Sequence, residues 1–213
     1  MYIPRAYTLE DPRVIADVIE ANSFGLLVTA TGDTPVATHL PFRFDPDRGQ
    51  HGTLVSHMAR ANPQWQEFGA YADGGLALTV FAGPHAYVSP TGYGDNGPTV
   101  PTWNYVSVHA YGRPRILDEG LEARAVLERL VETHEADLDP SWRLDSQEDA
   151  YIERMMRGIV AFELPIERIE AKAKLSQNKP DEARLGAADA LEASEHTEAR
   201  AIGRLMREAE PRR

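Results

Sequence analysis

The feature that most constrains the fold is a series of short strand-like segments with little more than turn residues between them. Residues 24–30 and 35–44 are separated by Thr-Gly-Asp-Thr, and residues 53–58 follow a turn rich in Asp, Pro and Gly. Such spacing leaves no room for the helix that joins parallel strands. The chain also lacks alternating strand and helix units. The sequence therefore predicts a β-rich α+β protein, an antiparallel barrel with peripheral helices.

The segment 100–112 carries the clearest strand pattern. From its middle onward, polar or aromatic side chains (Tyr105, Ser107, His109, Tyr111) alternate with apolar ones (Val106, Val108, Ala110). Aromatic rings mixed with hydrogen-bonding groups suit a flat heteroaromatic ligand or a subunit interface. A well-packed barrel strand with a few buried tyrosines explains the same alternation, so this pattern leaves both interpretations open.

Helical patterns accompany these strands. Asp11-Pro12 is typical of a helix start, with Asp as the cap and Pro at the first position, and Asn62-Pro63 predicts a short helix. Further helices are expected over 121–133 and 147–157, and strands over 158–166 and 169–175. After Gln177 the chain becomes polar and rich in Ala and Glu. The sequence thus predicts a barrel domain of residues 1–178 and a helical tail of residues 179–213.

Two breaks are expected in the middle of the chain. Gly83-Pro84 is predicted to separate a strand at 76–81 from a second strand at 86–89. Residues 90–101, rich in Gly and Pro, are predicted to form an exposed loop.

Composition excludes several classes of function. The absence of cysteine removes disulfides, thiolate metal sites and a cysteine nucleophile. A net charge of −11 opposes DNA binding, which depends on Lys and Arg at phosphates, and makes direct nucleic-acid binding doubtful. No apolar run reaches the roughly 20 residues that span a bilayer, and residues 1–7 lack the basic region and apolar block typical of a signal peptide. We expect no membrane association and a cytoplasmic location.

Local chemistry points to an anionic ligand more than to a metal. In residues 56–62 a strand gives way to a helix, where a hydroxyl, backbone amides and Arg60 are placed to converge on a phosphate; a capped helix with a surface arginine explains the same residues equally well. Lys172 and Lys174 alternate on a strand and give a possible second anion contact; a solvated strand edge is the simpler explanation. The histidines lack the spacing of a metal site, so no metal is predicted.

Several motifs, in order, resemble the PaiB-type family of FMN-binding negative transcriptional regulators. They are Met-Tyr-Ile-Pro at 1–4, Thr-His-Leu-Pro at 38–41, Ser-His at 56–57, Ala-Arg-Ala-Asn-Pro-Gln-Trp at 59–65, Phe-Ala-Gly-Pro-His-Ala-Tyr-Val-Ser-Pro at 81–90, Val-Pro-Thr-Trp-Asn-Tyr at 100–105, Val-His-Ala-Tyr-Gly at 108–112, Phe-Glu at 162–163 and Lys-Leu-Ser-Gln-Asn at 174–178. The resemblance covers the chain to about residue 191. Ala171-Lys172-Ala173-Lys174 stands where the family pattern has Gly-Lys-Trp-Lys, and Thr91-Gly92 where it has Ser-Trp.

The resemblance implies an FMN-binding split β-barrel that forms a homodimer, with FMN in clefts between the subunits. It implies a phosphate and ribityl site in residues 56–62, with His39 and Pro41 along the flavin. Residues 102–104 are implied near the flavin ring, and Lys174, Ser176 and Gln177 are implied to close the site. The cofactor-binding residues so implied are His39, Pro41, Ser56, His57, Ala59, Arg60, Asn62, Thr102, Trp103, Asn104, Lys174, Ser176 and Gln177.

Two functions remain open, and no catalytic residue is identified. The first is an FMN-binding regulator of the PaiB type that acts without reading DNA directly. The second is an FMN-dependent oxidoreductase, a flavin reductase or oxidase with a small-molecule substrate, in which the flavin would carry the chemistry. A haem-handling protein on the same barrel is a third class, because several histidines are available as axial ligands.

Overall fold

The computed structural model describes residues 1–94, 98–118 and 120–209. The strands within these residues are β1 Phe24–Thr29, β2 Val36–Asp45, β3 Thr53–Ala59, β4 Ala77–Val88, β5 Thr102–Gly112, β6 Arg115–Ile116 and β7 Ile159–Lys174. The α-helices are α1 Pro12–Ala21, α2 Leu121–Glu135, α3 Asp149–Met156, α4 Asp181–Glu192 and α5 Thr197–Glu208. Short 3-10 helices cover Arg5–Tyr7, Pro63–Tyr71, Pro90–Tyr93 and Leu144–Ser146.

The strands form one sheet in the order β3-β2-β1-β4-β5-β7-β6, and β3 also pairs with β7. The pairings β1–β2, β1–β4, β2–β3, β3–β7 and β6–β7 are antiparallel. Because β3 pairs with β7, six of the strands form a closed ring of pairings, and β6 adds to β7 outside that ring. The predicted antiparallel split β-barrel with peripheral helices is confirmed.

The chain divides into two structural units. The first unit comprises Met1–Val18, Ala82–Val108 and Glu170–Arg213, and the second comprises Ile19–Phe81 and His109–Ile169. Strands β4, β5 and β7 each contribute residues to both units. The site residues are therefore described unit by unit below.

The core of the first unit joins the C-terminal helices to strand residues. Ile202 and Met206 of α5 are fully buried with Val88 of β4 and Val106 of β5. The sequence predicts a helical tail here, and α4 and α5 lie within the predicted range. Residues 210–213 of that tail lie outside the described residues, and the boundary at residue 178 stays a prediction.

The core of the second unit contains a chain of aromatic rings. Phe42 lies 5.7 Å from Phe81 and 6.2 Å from Phe162, both edge-on, and Phe68 lies 5.0 Å from Phe162. These rings come from β2, β4, β7 and the 3-10 helix at Pro63–Tyr71. A smaller apolar cluster packs α2, through Val126 and Leu130, against the sheet. Such ring pairs hold strands together beyond the area that they bury.

The alternation predicted along β5 is present, with Val106, Val108 and Ala110 buried. The opposite, polar-aromatic face is half-buried, and basic side chains of β7 cover its tyrosines. The Arg168 guanidinium lies 3.7 Å from the centre of the Tyr111 ring. Tyr111 therefore meets a cation of its own chain on this face.

Two predicted strand breaks are wrong. β4 runs without interruption through Gly83-Pro84, and β7 is one strand through Glu167-Arg168. A Cβ at Gly83 would lie 3.2 Å from the Val106 carbonyl oxygen, so the glycine serves close strand packing. The fixed φ of proline is compatible with an extended chain. The charged pair in β7 is exposed, and Glu167 pairs with Arg113, which explains a polar stretch inside a continuous strand.

The predicted exposed loop at 90–101 is wrong for its first residues. Pro90–Tyr93 is a 3-10 helix, and the Tyr93 ring is buried in the core of the first unit. Residues 95–97 of this predicted loop lie outside the described residues.

Candidate functional site

In the second unit, the predicted site residues gather where β2 and β3 pair and where β3 leads into the 3-10 helix. Ser56 is fully buried, and its hydroxyl donates a 2.6 Å hydrogen bond to the Pro41 carbonyl oxygen. This bond ties β3 to β2 beside the register pair Phe42 and Ser56. The Ser56 hydroxyl therefore holds the two strands together.

His57 carries an unpaired nitrogen inside the protein. Its ring is half-buried, and Nδ1 has neither solvent contact nor a hydrogen-bond partner. Burial lowers the pKa of His57 below its usual value, because the charged imidazolium loses its hydration. A buried ring nitrogen without a partner is costly in a folded protein unless another group supplies one. A bound ligand is such a group.

Arg60 has its guanidinium fixed by the start of β7. Nε donates to the Arg157 carbonyl oxygen and Nη2 to the Ile159 carbonyl oxygen, each at 2.9 Å. The preceding residue, Ala59, is exposed and pairs with Ile159 in the sheet. These two contacts to backbone oxygens hold the guanidinium in a defined orientation.

Asn62 caps the 3-10 helix. Its side-chain oxygen accepts a 3.0 Å hydrogen bond from the Gln64 backbone N–H, and its Nδ2 donates to the Thr38 hydroxyl at 3.0 Å. Both ends of the amide are thus engaged within the protein. Asn62 fixes the turn that follows Arg60.

His39 and Pro41 lie on β2. The exposed His39 ring stacks on Phe24 of β1, with 5.8 Å between ring centres and an angle of 23° between planes. Phe24 is itself 67% exposed. Two stacked rings that are exposed to solvent form an apolar surface, which suits contact with a ligand ring or with another protein.

In the first unit, Lys174 reaches from the end of β7 to the start of β5. Its ammonium donates to the Thr102 hydroxyl and, at 2.8 Å, to the Trp103 carbonyl oxygen. Burial and the neighbouring charge of Lys172 lower the pKa of Lys174. The structure thus brings three predicted residues, Thr102, Trp103 and Lys174, into one group.

Trp103 is the centre of an exposed aromatic surface. Its ring is 55% exposed and lies 6.2 Å from His85 and 6.1 Å from Tyr87, both on β4. His85 also lies near Glu198 of α5, with 3.7 Å between Nδ1 and Oε2. Sequence analysis did not select His85 and Tyr87 as site residues, although their alternate positions on a strand place them on one face.

Asn104, Ser176 and Gln177 are buried and bonded within the protein. Asn104 Nδ2 donates to the Ser176 hydroxyl at 2.9 Å, and that hydroxyl shares a 2.7 Å hydrogen bond with Tyr93. Gln177 folds back on its own turn, with its amide donating to the Ala173 carbonyl oxygen at 2.6 Å. Ser176 has a φ of 62°, a conformation that these bonds hold in place. The hydrogen bonds of these three side chains fix the backbone turn that follows Lys174.

Lys172, a possible anion contact in the sequence, is buried between aromatic rings. Its ammonium lies 5.0 Å from the centre of the Tyr105 ring and 5.8 Å from that of Tyr2, and it donates to the Tyr2 carbonyl oxygen. Cation–π contacts of this kind hold the N-terminal segment on the sheet. Lys174, two residues further on, is the more accessible ammonium.

Sequence reasoning also missed the environment of one acidic residue. Glu163 lies between Phe162 and Leu164 on β7, is 2% exposed, and pairs with both Arg48 and Arg115. A carboxylate within an apolar strand is the signal that could have revealed it, because such a group is buried only with partners.

None of the helices in the described part of the chain has the length and apolar character to cross a bilayer. In the same residues no group of three or more His, Cys, Asp and Glu side chains is placed to hold a metal ion.

Comparison with known proteins gives consistent results along the chain. Residues 1–168 match the family described as "Putative FMN-binding domain". Protease synthase and sporulation protein PAI 2 of Bacillus subtilis (strain 168) is 35% identical over 206 residues, which cover 97% of this chain and 96% of that protein.

Solved structures share the fold at low sequence identity. The FAD and heme binding protein of Mycobacterium smegmatis has a TM-score of 0.59 at 15% identity, with 80% of this chain and 74% of that chain covered. The flavocytochrome Anf3 of Azotobacter vinelandii has a TM-score of 0.58 at 14% identity, with 81% and 72% covered. At these identities the similarity establishes the barrel alone.

Proposed function

The chain belongs to the family described as "Putative FMN-binding domain", and on that premise we propose that it is a flavin-dependent regulatory protein that does not read DNA itself. FMN is the cofactor that this family implies, and residues on β3 and directly after it suit its chemistry. The phosphate and the ribityl hydroxyls of FMN require cationic and polar partners, which His57 and Arg60 provide.

The observation that carries this proposal is the buried Nδ1 of His57, which has no hydrogen-bond partner. In the same stretch of chain, two backbone oxygens orient the Arg60 guanidinium. An unpaired polar atom close in sequence to an oriented cation is the arrangement expected at an anionic, hydroxylated ligand. We assign the phosphate and ribityl end of FMN to His57 and Arg60.

The group formed by Thr102, Trp103 and Lys174 in the first unit suits a flavin ring by its chemistry. Trp103 offers an exposed indole for stacking, and Lys174 supplies an oriented positive charge beside Thr102. His39, stacked on the exposed Phe24, offers a second flat surface. Asn104, Ser176 and Gln177 act indirectly, by fixing the turn from which Lys174 projects.

We propose that the protein works as a homodimer. The side chains of Phe24, Trp103 and Tyr87 are 67%, 55% and 50% exposed. Leaving this much aromatic surface in water is unfavourable for a monomer. A second copy of the chain would cover these rings and bring residues of two chains to one flavin. Sedimentation of the purified protein at the mass of two chains is the expected result.

When bound, FMN supplies one- or two-electron chemistry, and the protein supplies its binding and electrostatics. The lowered pKa of His57 keeps its ring neutral at pH 7, so Nδ1 pairs with a hydroxyl without adding charge. Lys174 holds the Thr102 hydroxyl and the Trp103 backbone in place.

A regulatory role is supported by the relative from Bacillus subtilis, whose name ties that protein to protease synthase and sporulation. The net charge of −11 argues against direct contact with DNA phosphates. We expect the purified, FMN-loaded protein to leave promoter DNA unshifted in a gel assay at 50 mM and 200 mM salt. A nanomolar shift that weakens with salt would contradict this part of the proposal.

An FMN-dependent oxidoreductase is the second candidate. It is favoured by the aromatic cluster of His85, Tyr87 and Trp103, whose ring faces suit a small aromatic substrate where a second copy of the chain does not cover them. Anaerobic bleaching of bound flavin by NADH or NADPH would support it. Flavin that stays oxidised with both reductants would favour the regulatory role.

FMN titration of two histidine variants tests the binding site. His57→Gln changes the unpaired ring nitrogen, and His134→Gln on the exposed face of α2 is the matched control. We expect the dissociation constant of FMN, measured by quenching of flavin fluorescence, to rise about fivefold to tenfold in His57→Gln only. Equal affinities in both variants would remove His57 from the site.

A further inference from the structure

A small cavity lies beneath α2 in the second unit, apart from any residue assigned to FMN. Its volume is about 150 Å³, and Arg43 of β2, Arg48 of the following turn and Arg129 of α2 line it with Glu122 and Glu163. Pockets that hold drug-sized ligands measure about 300–1,000 Å³, so this cavity suits a single charged group.

The lining is rich in positive charge. Three arginines face two glutamates in a chain whose net charge is −11. Glu122 also accepts a 2.9 Å hydrogen bond from the Asp118 backbone N–H, which commits one of its oxygens to the start of α2. The cavity is therefore a local cationic site on an acidic protein.

Glu163 orients the arginines around it. Its side chain is 3% exposed, with Oε2 accepting from Arg48 Nη2 at 2.7 Å and Oε1 from Arg115 Nε at 2.6 Å. Two guanidinium groups share one carboxylate, so positive charge remains in excess beside it. The buried glutamate thus positions the Arg48 fork at the wall of the cavity.

Arg43 has an unsatisfied donor in this wall. Its Nη1 has no solvent contact and no hydrogen-bond partner; it forms a salt bridge with the Asp45 carboxylate at 3.6 Å, which is too long for a hydrogen bond. A buried guanidinium nitrogen without an acceptor is costly, and an oxyanion is the acceptor that matches its planar geometry.

We propose that this cavity binds a small oxyanion, a phosphate or carboxylate group, through Arg43, Arg48 and Arg129. None of the residues assigned to FMN lines it, so it is a second ligand site on the protein. The anion completes the hydrogen bonds of Arg43 and balances the excess charge beside Glu163. Such a site would let the concentration of a small acidic metabolite influence a flavin-binding barrel.

Calorimetric titration of the full chain tests the proposal. Sodium phosphate and sodium malonate are titrated separately at constant ionic strength, with sodium chloride as the blank. We expect one saturable site for at least one of the two anions, and the arm that saturates distinguishes a phosphate from a carboxylate ligand. No saturation with either anion would overturn the proposal.

Two variants and a control locate the site. Arg129→Gln removes an exposed arginine of the lining, Arg43→Gln removes the unsatisfied donor, and Arg204→Gln on α5 makes the same charge change elsewhere. We expect the first two to weaken anion binding about tenfold or more and the control to leave it unchanged. Thermal unfolding curves establish that each variant is folded.

FMN separates this site from the proposed flavin site. We expect the FMN dissociation constant of Arg129→Gln to match that of the wild type, and FMN to leave the phosphate titration unaltered. Competition between FMN and phosphate, together with weaker FMN binding in Arg129→Gln, would contradict a second site. Anion affinity unaffected by both lining variants would do so as well.

Discussion

Replacement of Asn104 by alanine tests whether this residue supports the site or contacts a ligand. Asn104 is fully buried, and its amide donates to the Ser176 hydroxyl at 2.9 Å and lies 3.2 Å from the Met206 sulfur. Ser176 keeps its bond to Tyr93 after the change, so no hydroxyl is left unpaired. The lost hydrogen bond costs about 1 kcal/mol, and the space left behind about 1–2 kcal/mol.

We therefore expect Asn104→Ala to lower the free energy of unfolding by about 2–3 kcal/mol, measured by urea denaturation followed by circular dichroism. Tyr93→Phe removes the other partner of Ser176 and is expected to cost about 1 kcal/mol. The double variant should show coupling, because both side chains bond one hydroxyl. Unfolding within about 0.5 kcal/mol of wild type, together with weaker FMN binding, would refute this reasoning and make Asn104 a ligand residue.

Three further predictions follow from single residues. Arg60→Gln should weaken FMN binding about tenfold or more while the exposed Arg13→Gln does not; equal fluorescence titrations would exclude Arg60. Burial lowers the pKa of His57, so the unfolded chain binds a proton at a higher pH than the folded chain does, and the free energy of unfolding should fall as the pH drops below about 6.5. A pH profile of urea midpoints should therefore be flatter in His57→Gln than in the wild type. Parallel profiles would show that His57 does not cause the pH dependence. Gly112→Ala would place a Cβ 2.1 Å from the Pro165 carbonyl oxygen and should cost about 3 kcal/mol or more, whereas Gly69→Ala has open space and should be nearly neutral; similar melting temperatures would show that the strands adjust.

Local patterns predicted most elements of the fold because each depends on neighbouring residues. α1 begins at Pro12, directly after Asp11, and the Asn62 side chain caps the 3-10 helix, as the sequence predicts. The predicted breaks at Gly83-Pro84 and before Ile169 are wrong because partners distant in sequence decide there. Val106 packs on Gly83, and Arg113 pairs with Glu167. A sequence pattern does not contain such contacts.

The motifs predicted that some of the candidate site residues lie together, but they did not predict which of them are buried, and their roles at a flavin stay predictions. The motifs selected Lys174, Ser176 and Asn104 together, and the structure places them together. Lys174 is partly accessible, whereas Asn104 and Ser176 are buried. The alternation of polar and apolar residues does not predict this difference at the end of a strand. The Glu163 cluster went unrecognised because its arginines lie more than 40 residues away in sequence.

The visible absorption spectrum of the purified protein, before and after added FMN, tests the central claim most directly. We expect flavin bands between roughly 350 and 500 nm and a fluorescence titration that saturates at one FMN per chain. Protein that remains colourless, with FMN fluorescence unchanged at every protein concentration, would contradict the assignment of His57, Arg60 and Lys174 to a flavin site.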